Sequence, residues 1–339
     1  MKVSMWKIAI PALIGLGAAA WLVVSEFDAD VWAGLHFTLR TVLFILLAFA
    51  FMVGRDLGYI IRIRLFARGE LSWRQAFRVI MLWEFTSAIT PSTVGGTAVA
   101  VVYVHKEGLS VGKSAAMVML TAFFDELFFA VCFPLIILIV WWDTLFGFSG
   151  AGGLISLVIA GYFVKLALCL ALSYGLFFNP RGMGRLIVRF FSLKWLRRWR
   201  PKAEQTAEDL LLSSAEIKRY NVSFWIKAFL ATALSWSSRF LVANAIFLAF
   251  VTLSDHLLVF ARQLAMWIPM IISPTPGGAG LAEYIFGNFL GDVVSVDASS
   301  GLTPIIALLW RGVTFYPYLI IGALIIPRWV AKVTQKQSK

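Results

Sequence analysis

Long apolar runs separated by short polar connections occupy almost the whole chain. They fall at about 6–24, 37–54, 79–104, 114–142, 151–178, 223–252, 263–290 and 303–327. Each is long enough to cross a hydrocarbon core, which takes about 20 helical residues. The pattern predicts an all-α polytopic membrane protein forming a single transmembrane domain over 1–339. Trp6, Trp21, Trp141, Trp142, Trp225 and Trp329 stand near the ends of runs, where an interfacial aromatic belt is expected. The first run follows Lys2 and Lys7, exceeds the apolar core of a signal peptide, and passes from Ala18–Ala20 straight into Trp21. It is expected to be a retained first span.

The polar connections then constrain topology. Residues 55–78 carry six Arg against Asp56 and Glu70, and residues 181–219 carry ten Lys or Arg. The 25–36 connection holds Glu26, Asp28 and Asp30 with no cation, 143–150 holds only Asp143, and 291–302 has no cation. If all eight runs crossed, the two basic connections would lie on opposite sides, against the positive-inside rule. Runs three and seven are therefore expected to turn back as re-entrant or broken hairpins, leaving about six full spans. Both termini and both basic connections then face the cytoplasm. The two runs carry the residues for such a break: Thr90-Pro91-Ser92-Thr93-Val94-Gly95-Gly96 in one, Ser273-Pro274-Thr275-Pro276-Gly277-Gly278 in the other. Proline removes a helix donor and glycine permits the tight backbone that follows. The order span, span, hairpin, span repeats with opposite orientation, which predicts an inverted repeat, 1–145 and 146–330, of the kind transporters use.

Composition agrees with lipid as the main solvent: 60% of residues are hydrophobic and only 14% charged, where a soluble chain would have about a quarter. The formal charge of +12 sits in blocks between apolar runs, so it reads as topology and attraction to anionic lipid, and nucleic acid is not an expected partner. The amphipathic segment 181–222 interleaves Arg185, Arg189, Lys194, Arg197 and Arg198 with Leu186, Phe190, Phe191, Trp195 and Trp199, a pattern suited to the cytoplasmic membrane surface. Cys132 and Cys169 lie inside apolar runs as small buried side chains.

Seven charges interrupt the apolar runs: Glu84, Asp125, Glu126, Lys165, Glu283, Arg239 and Arg311. Each costs about 2.5–3.5 kcal/mol at the bilayer centre, so they must face one another or water. Asp125, Glu126 and Lys165 are accounted for equally well by mutual neutralisation. Arg239 and Arg311 offer permanently charged planar forks suited to a phosphate, and are the expected lipid head-group ligands. The backbone at Gly95, Gly96, Gly277 and Gly278, with Thr93 and Thr275 beside it, is the expected cradle for the same group. Glu84 and Glu283 flank the two breaks, placed to carry a proton or to pair with a neighbouring Arg. His36, His105 and His256 stand at run ends without metal-ligand spacing, so no metal, cofactor or catalytic residue is expected.

The runs "ITPSTVGG", "SPTPGGAGLAEYIF" and "LLWRGVTFYPYLIIG" resemble the flippase-like transmembrane domain of lysylphosphatidylglycerol synthases, across nearly the whole chain. The marks that carry it are Pro274, Pro276, Gly277, Gly278, Gly280 and Glu283, then Arg311, Thr314 and Tyr316. The resemblance implies a stand-alone transporter in the plasma membrane of a prokaryote. It would move an anionic phospholipid, of the phosphatidylglycerol type or a derivative, between leaflets. A carrier of polyprenyl phosphate or a polyprenyl-linked sugar is the alternative, and an intramembrane lipid-modifying enzyme is less favoured. Arg328 to Lys339 is a short basic tail, so lipid aminoacylation is not expected.

Overall fold

A computed structural model describes residues 37–90, 92–148, 151–193, 200–273, 275, 277–293 and 302–337. The expected first span, the 25–36 connection, Trp6, Trp21, Trp195, Trp199 and most of the 291–302 connection lie outside the described residues, as do Pro91, Pro274 and Pro276. So do the side chain of Thr93 and the surroundings of Gly95.

Every regular element among the described residues is helical. The first, α1 (Leu39–Phe66), starts on Thr38, whose side chain accepts from the Thr41 amide. It runs twelve residues past the expected end at 54, because Arg55 and Arg62 lie seven apart on its inward face and are buried there rather than in a cytoplasmic loop. Ser72 caps α2 (Trp73–Ile89), which ends where Thr90 turns extended, as a residue before proline is forced to do. From there α3 (Ser92–Lys106) runs back along α2. Gln75 reaches the Glu107 carbonyl at 2.9 Å, Arg78 grips the Glu107 carboxylate at 2.9 and 2.8 Å, and Thr86 meets the Tyr103 hydroxyl at 2.6 Å. These pairs fix α2 and α3 as antiparallel. Gly96 makes the close crossing possible, since a Cβ there would stand 2.0 Å from Ser87 Oγ.

The chain continues through α4 (Val111–Val140), α5 (Ala151–Ser173) with a π turn at Tyr174–Phe178, and two polar helices, α6 (Pro180–Phe191) and α7 (Arg200–Ile217). Asn221 caps α8 (Val222–Phe250). A second hairpin follows: α9 (His256–Met266), a 3-10 turn at Pro269–Ile272, a glycine loop, then α10 (Leu281–Leu290). Arg262, in the second half of α9, donates to the Phe289 carbonyl at 3.1 Å and pairs with Asp292, which ties α9 to the end of α10. The last run is two helices, α11 (Leu302–Thr314) and α12 (Tyr316–Gln337), parted at Phe315. Pro317 has no amide to continue the ladder of α11.

Among the described residues, five stretches are long and apolar enough to cross a membrane: Leu39–Phe66, Val111–Val140, Gly152–Phe178, Val222–Phe250 and Leu302–Pro327. Their outward faces carry exposed Leu46, Val53, Leu138, Phe163, Leu170 and Leu230, as lipid contact requires. Each of α1 and α8 is followed by two shorter helices and then by another long apolar stretch. Helices α1 and α8 lie antiparallel at the centre. Ser235 donates to the Arg55 carbonyl at 2.8 Å, and Arg40, at the start of α1, donates to the carbonyls of Leu248 and Val251 at 3.0 Å each. Small residues let the backbones meet: a Cβ on Gly58 would lie 2.7 Å from the Ala231 carbonyl oxygen. At one end of the molecule Arg68 pairs with Glu216 at 3.1 Å and Lys113 pairs with Glu70. Both basic connections therefore share that end.

Candidate functional site

A cavity of about 260 Å³ lies between the two hairpins and the crossed pair α1 and α8. Arg55, Tyr59 and Arg62 reach it from α1, Glu84 and Ser87 from α2, Thr121, Asp125 and Glu126 from α4, and Lys165 from α5. Trp236 and Arg239 enter from α8, and Trp267 from the end of α9. Ser273, Thr275, Gly277 and Gly278 come from the glycine loop. Arg311, Thr314, Phe315 and Tyr318 complete the wall.

Most of these charges are already answered. Arg62 holds Asp125 through two bonds of 2.7 and 3.0 Å, and the Trp236 indole donates to the same carboxylate at 2.9 Å. Lys165 meets Glu126 at 3.1 Å. Arg311 donates to Glu283 at 2.7 Å and to the Gly277 carbonyl at 3.0 Å. Arg55 carries two carboxylates, Asp56 at 2.7 Å and Glu84 at 2.6 Å, and Tyr318 donates to Asp56 at 2.8 Å. The guanidiniums are sealed in, Arg55 and Arg62 at 1% exposure, whereas their carboxylate partners Glu84 and Asp125 keep 20% and 22%. The carboxylates thus form the accessible rim and the cations stand behind them.

Arg239 departs from this rule. Among the described residues no carboxylate pairs with it, and its Nε is buried without a hydrogen-bond partner. Its guanidinium lies 4.0 Å over the Trp267 ring and 5.9 Å from that of Trp236, so aromatic faces hold the charge in place. Three further cavity-lining residues have a buried polar atom without a partner, Arg55 at Nε, Trp267 at Nε1 and Thr121 at Oγ1. An unpaired cation beside unused polar atoms is an arrangement that receives an anion.

Of the seven interrupting charges, Glu84, Asp125, Glu126, Lys165, Arg239 and Arg311 line this one cavity, and Glu283 is tied to it through Arg311. Thr275, Gly277 and Gly278 line it as well. Gly96 is not among the lining residues; its role is to seat α3 against Ser87. In the second loop the expected amide cradle is modified. The Gly278 amide is taken by the Thr275 carbonyl at 3.1 Å, and the group that Gly277 offers to Arg311 is its carbonyl. Gly277, Gly278 and Gly280 all have positive φ, 59°, 72° and 82°, which makes the loop glycine-dependent.

Arg55, Asp56, Arg62, Tyr59, Trp236, Trp267 and Tyr318 were not expected at the site. The first four sit where a helix end was anticipated. The signal was present in the i, i+7 spacing of Arg55 and Arg62 with Gly58 and Tyr59 between, which continues a helical face.

Residues 8–322 match the family described as the lysylphosphatidylglycerol synthase TM region. A protein of Archaeoglobus fulgidus described as "UPF0104 membrane protein" is 25% identical over 300 residues, covering 83% of this chain and 85% of that one. No solved structure matches the chain. With the match spanning nearly every element that builds the cavity, the chain belongs to the lysylphosphatidylglycerol synthase transmembrane-region family.

Proposed function

We propose that the protein moves a lipid with an anionic head group between the leaflets of a prokaryotic plasma membrane. The observation that carries this reading is Arg239, a cation without a carboxylate partner among the described residues, held on Trp267 inside a cavity lined by charged side chains. Taking a phosphate through hydrocarbon costs many kcal/mol, and a site that supplies fixed donors in place of water lowers that barrier. A volume of about 260 Å³ accommodates a head group rather than a whole lipid, so the tails stay in the bilayer.

In this reading α2–α3 and α9–α10 enter the bilayer from opposite faces and turn back, and the halves 1–145 and 146–330 form an inverted repeat. The basic connections face the cytoplasm. Rocking of one half against the other exposes the head group to each side in turn. The reading assigns binding and movement to these residues and no bond-making step.

The test is reconstitution in liposomes with acyl-labelled fluorescent lipids and a membrane-impermeant quencher. Phosphatidylglycerol and a polyprenyl phosphate are run as separate arms, because both present a phosphate on an apolar tail. Faster loss of protected fluorescence with the wild-type chain, and not with Arg239→Ala, is the expected result. Equal rates with and without protein in both arms would overturn the reading.

A further inference from the structure

Ten charged side chains converge on the cavity and its wall: the cations Arg55, Arg62, Lys165, Arg239 and Arg311, and the carboxylates Asp56, Glu84, Asp125, Glu126 and Glu283. Fully ionised, they cancel. The balance is uneven within that zero, since Arg55 holds two carboxylates while Arg239 holds none among the described residues. A lipid monoanion docking on Arg239 therefore leaves the set one negative charge in excess, in surroundings that penalise uncompensated charge. A proton on one carboxylate restores neutrality.

The geometry singles out which one. Asp56 accepts from both Arg55 and Tyr318, Asp125 from Arg62 and Trp236, and Glu283 from Arg311 and the Gly280 amide. Glu126 has Lys165 to itself. Glu84 has the single contact to Arg55 Nη2, shares that cation with Asp56, and opens on the cavity. The charged and titratable groups acting around it are Arg55, Asp56 and Tyr59 from α1, Arg239 from α8 and Tyr318 from α12. The adjoining helix α3 adds Tyr103, which is bonded to Thr86.

Resting on the anionic-lipid reading above, we propose that the protein is a proton–anion symporter in which Glu84 takes one proton for each lipid anion bound. Protonation breaks the Glu84–Arg55 ion pair and frees one arm of Arg55 to join Arg239 on the phosphate. When the anion leaves on the other side, Glu84 gives up its proton there and the pair re-forms. One anion and one proton cross together, and no net charge moves.

The experiment uses proteoliposomes of the full chain, acyl-labelled phosphatidylglycerol and an imposed pH gradient, with the membrane potential clamped at zero. One-for-one coupling converts a gradient of one pH unit into a leaflet ratio of about tenfold, lipid accumulating on the alkaline side. Glu84→Gln, neutral like the protonated acid, is expected to lose the response to the gradient, so that whatever exchange it supports reaches the same leaflet ratio with and without the pH difference. Wild-type exchange that ignores the gradient overturns symport and leaves lipid movement standing. Absence of any wild-type exchange overturns the underlying reading instead, and a full gradient response in Glu84→Gln removes Glu84 from the role. A second measurement needs no variant: short-chain phosphatidylglycerol added to the purified protein in weak buffer should take up one proton per lipid bound. Binding without proton uptake also defeats the proposal.

Discussion

The guanidinium of Arg239 rests 4.0 Å above the ring of Trp267, in a cavity where Arg55, Arg62, Lys165 and Arg311 each have a carboxylate. Burying an unpaired cation works against folding, so its presence points to binding. Arg239→Gln should therefore leave the thermal midpoint in detergent unchanged or raise it, while lipid exchange falls by roughly ten- to a hundredfold, the worth of a charged hydrogen bond. A variant that loses stability and activity together would mark Arg239 as structural.

Arg311 carries the opposite expectation. Its charge is spent on Glu283 and on the Gly277 carbonyl, and Glu283 in turn accepts the Gly280 amide at 2.7 Å, so the residue pins the glycine loop to α11. Arg311→Ala removes the charged partner of the partly buried Glu283 and should cost about 1.5–3 kcal/mol, read as a fall in thermal stability. The double variant Arg311→Met with Glu283→Gln should recover much of that loss. If the double variant is as unstable as the sum of the singles, the two residues do not act as a pair.

Asp125 ties three helices together, accepting from Arg62 of α1 and Trp236 of α8 while it stands on α4. Asp125→Asn keeps the shape and removes the charge, leaving Arg62 at 1% exposure without an anion. The expected loss, on the order of 3 kcal/mol, should exceed that of Trp236→Phe, which removes one neutral donor worth about 1 kcal/mol. Comparing the two in chemical denaturation checks the order.

Much of this arrangement was legible in the sequence because hydrocarbon admits few solutions. Charges such as Glu84, Lys165 and Arg311 within apolar runs had to meet, and six of the seven line one cavity while Glu283 joins them through Arg311. The proline–glycine residues marked where runs three and seven are interrupted: α2 gives way to α3 at Thr90, and α9 and α10 are separated by the glycine loop. What escaped was where charge stops meaning loop. Arg55 and Arg62 belong to a cluster of six Arg that reads as a cytoplasmic connection. Only the register of α1, which turns these two inward, separates them from Arg68, which stands exposed in the turn past the helix end. The partnering within the cluster was also hidden: composition could not reveal that Arg239 would be left over, because that depends on which helix faces meet.

The contact between α1 and α8 offers a graded test of packing through two glycines, with a third on α10 for comparison. At Gly58 an added Cβ would lie 2.7 Å from the Ala231 carbonyl oxygen and 2.9 Å from both the amide nitrogen and Cβ of Ser235, so the backbones themselves must separate. At Gly54 the nearest atom is Ser238 Oγ at 3.1 Å, the end of a side chain that can turn away. At Gly287, on α10, nothing stands within 4 Å. Replacing a helical glycine with alanine gains up to about 1 kcal/mol from propensity, whereas overpacking costs about 1–3 kcal/mol. The clash should win at Gly58, nearly cancel at Gly54 and be absent at Gly287. Thermal midpoints should therefore rank Gly58→Ala below wild type, Gly54→Ala close to it and Gly287→Ala above it. Because Arg55 and Arg62 sit on the same helix as Gly58, prying α1 from α8 also moves the two cations, and Gly58→Ala should slow lipid exchange in proteoliposomes while Gly287→Ala does not. A Gly58→Ala protein as stable and as active as wild type would mean that the two helices do not meet at this depth.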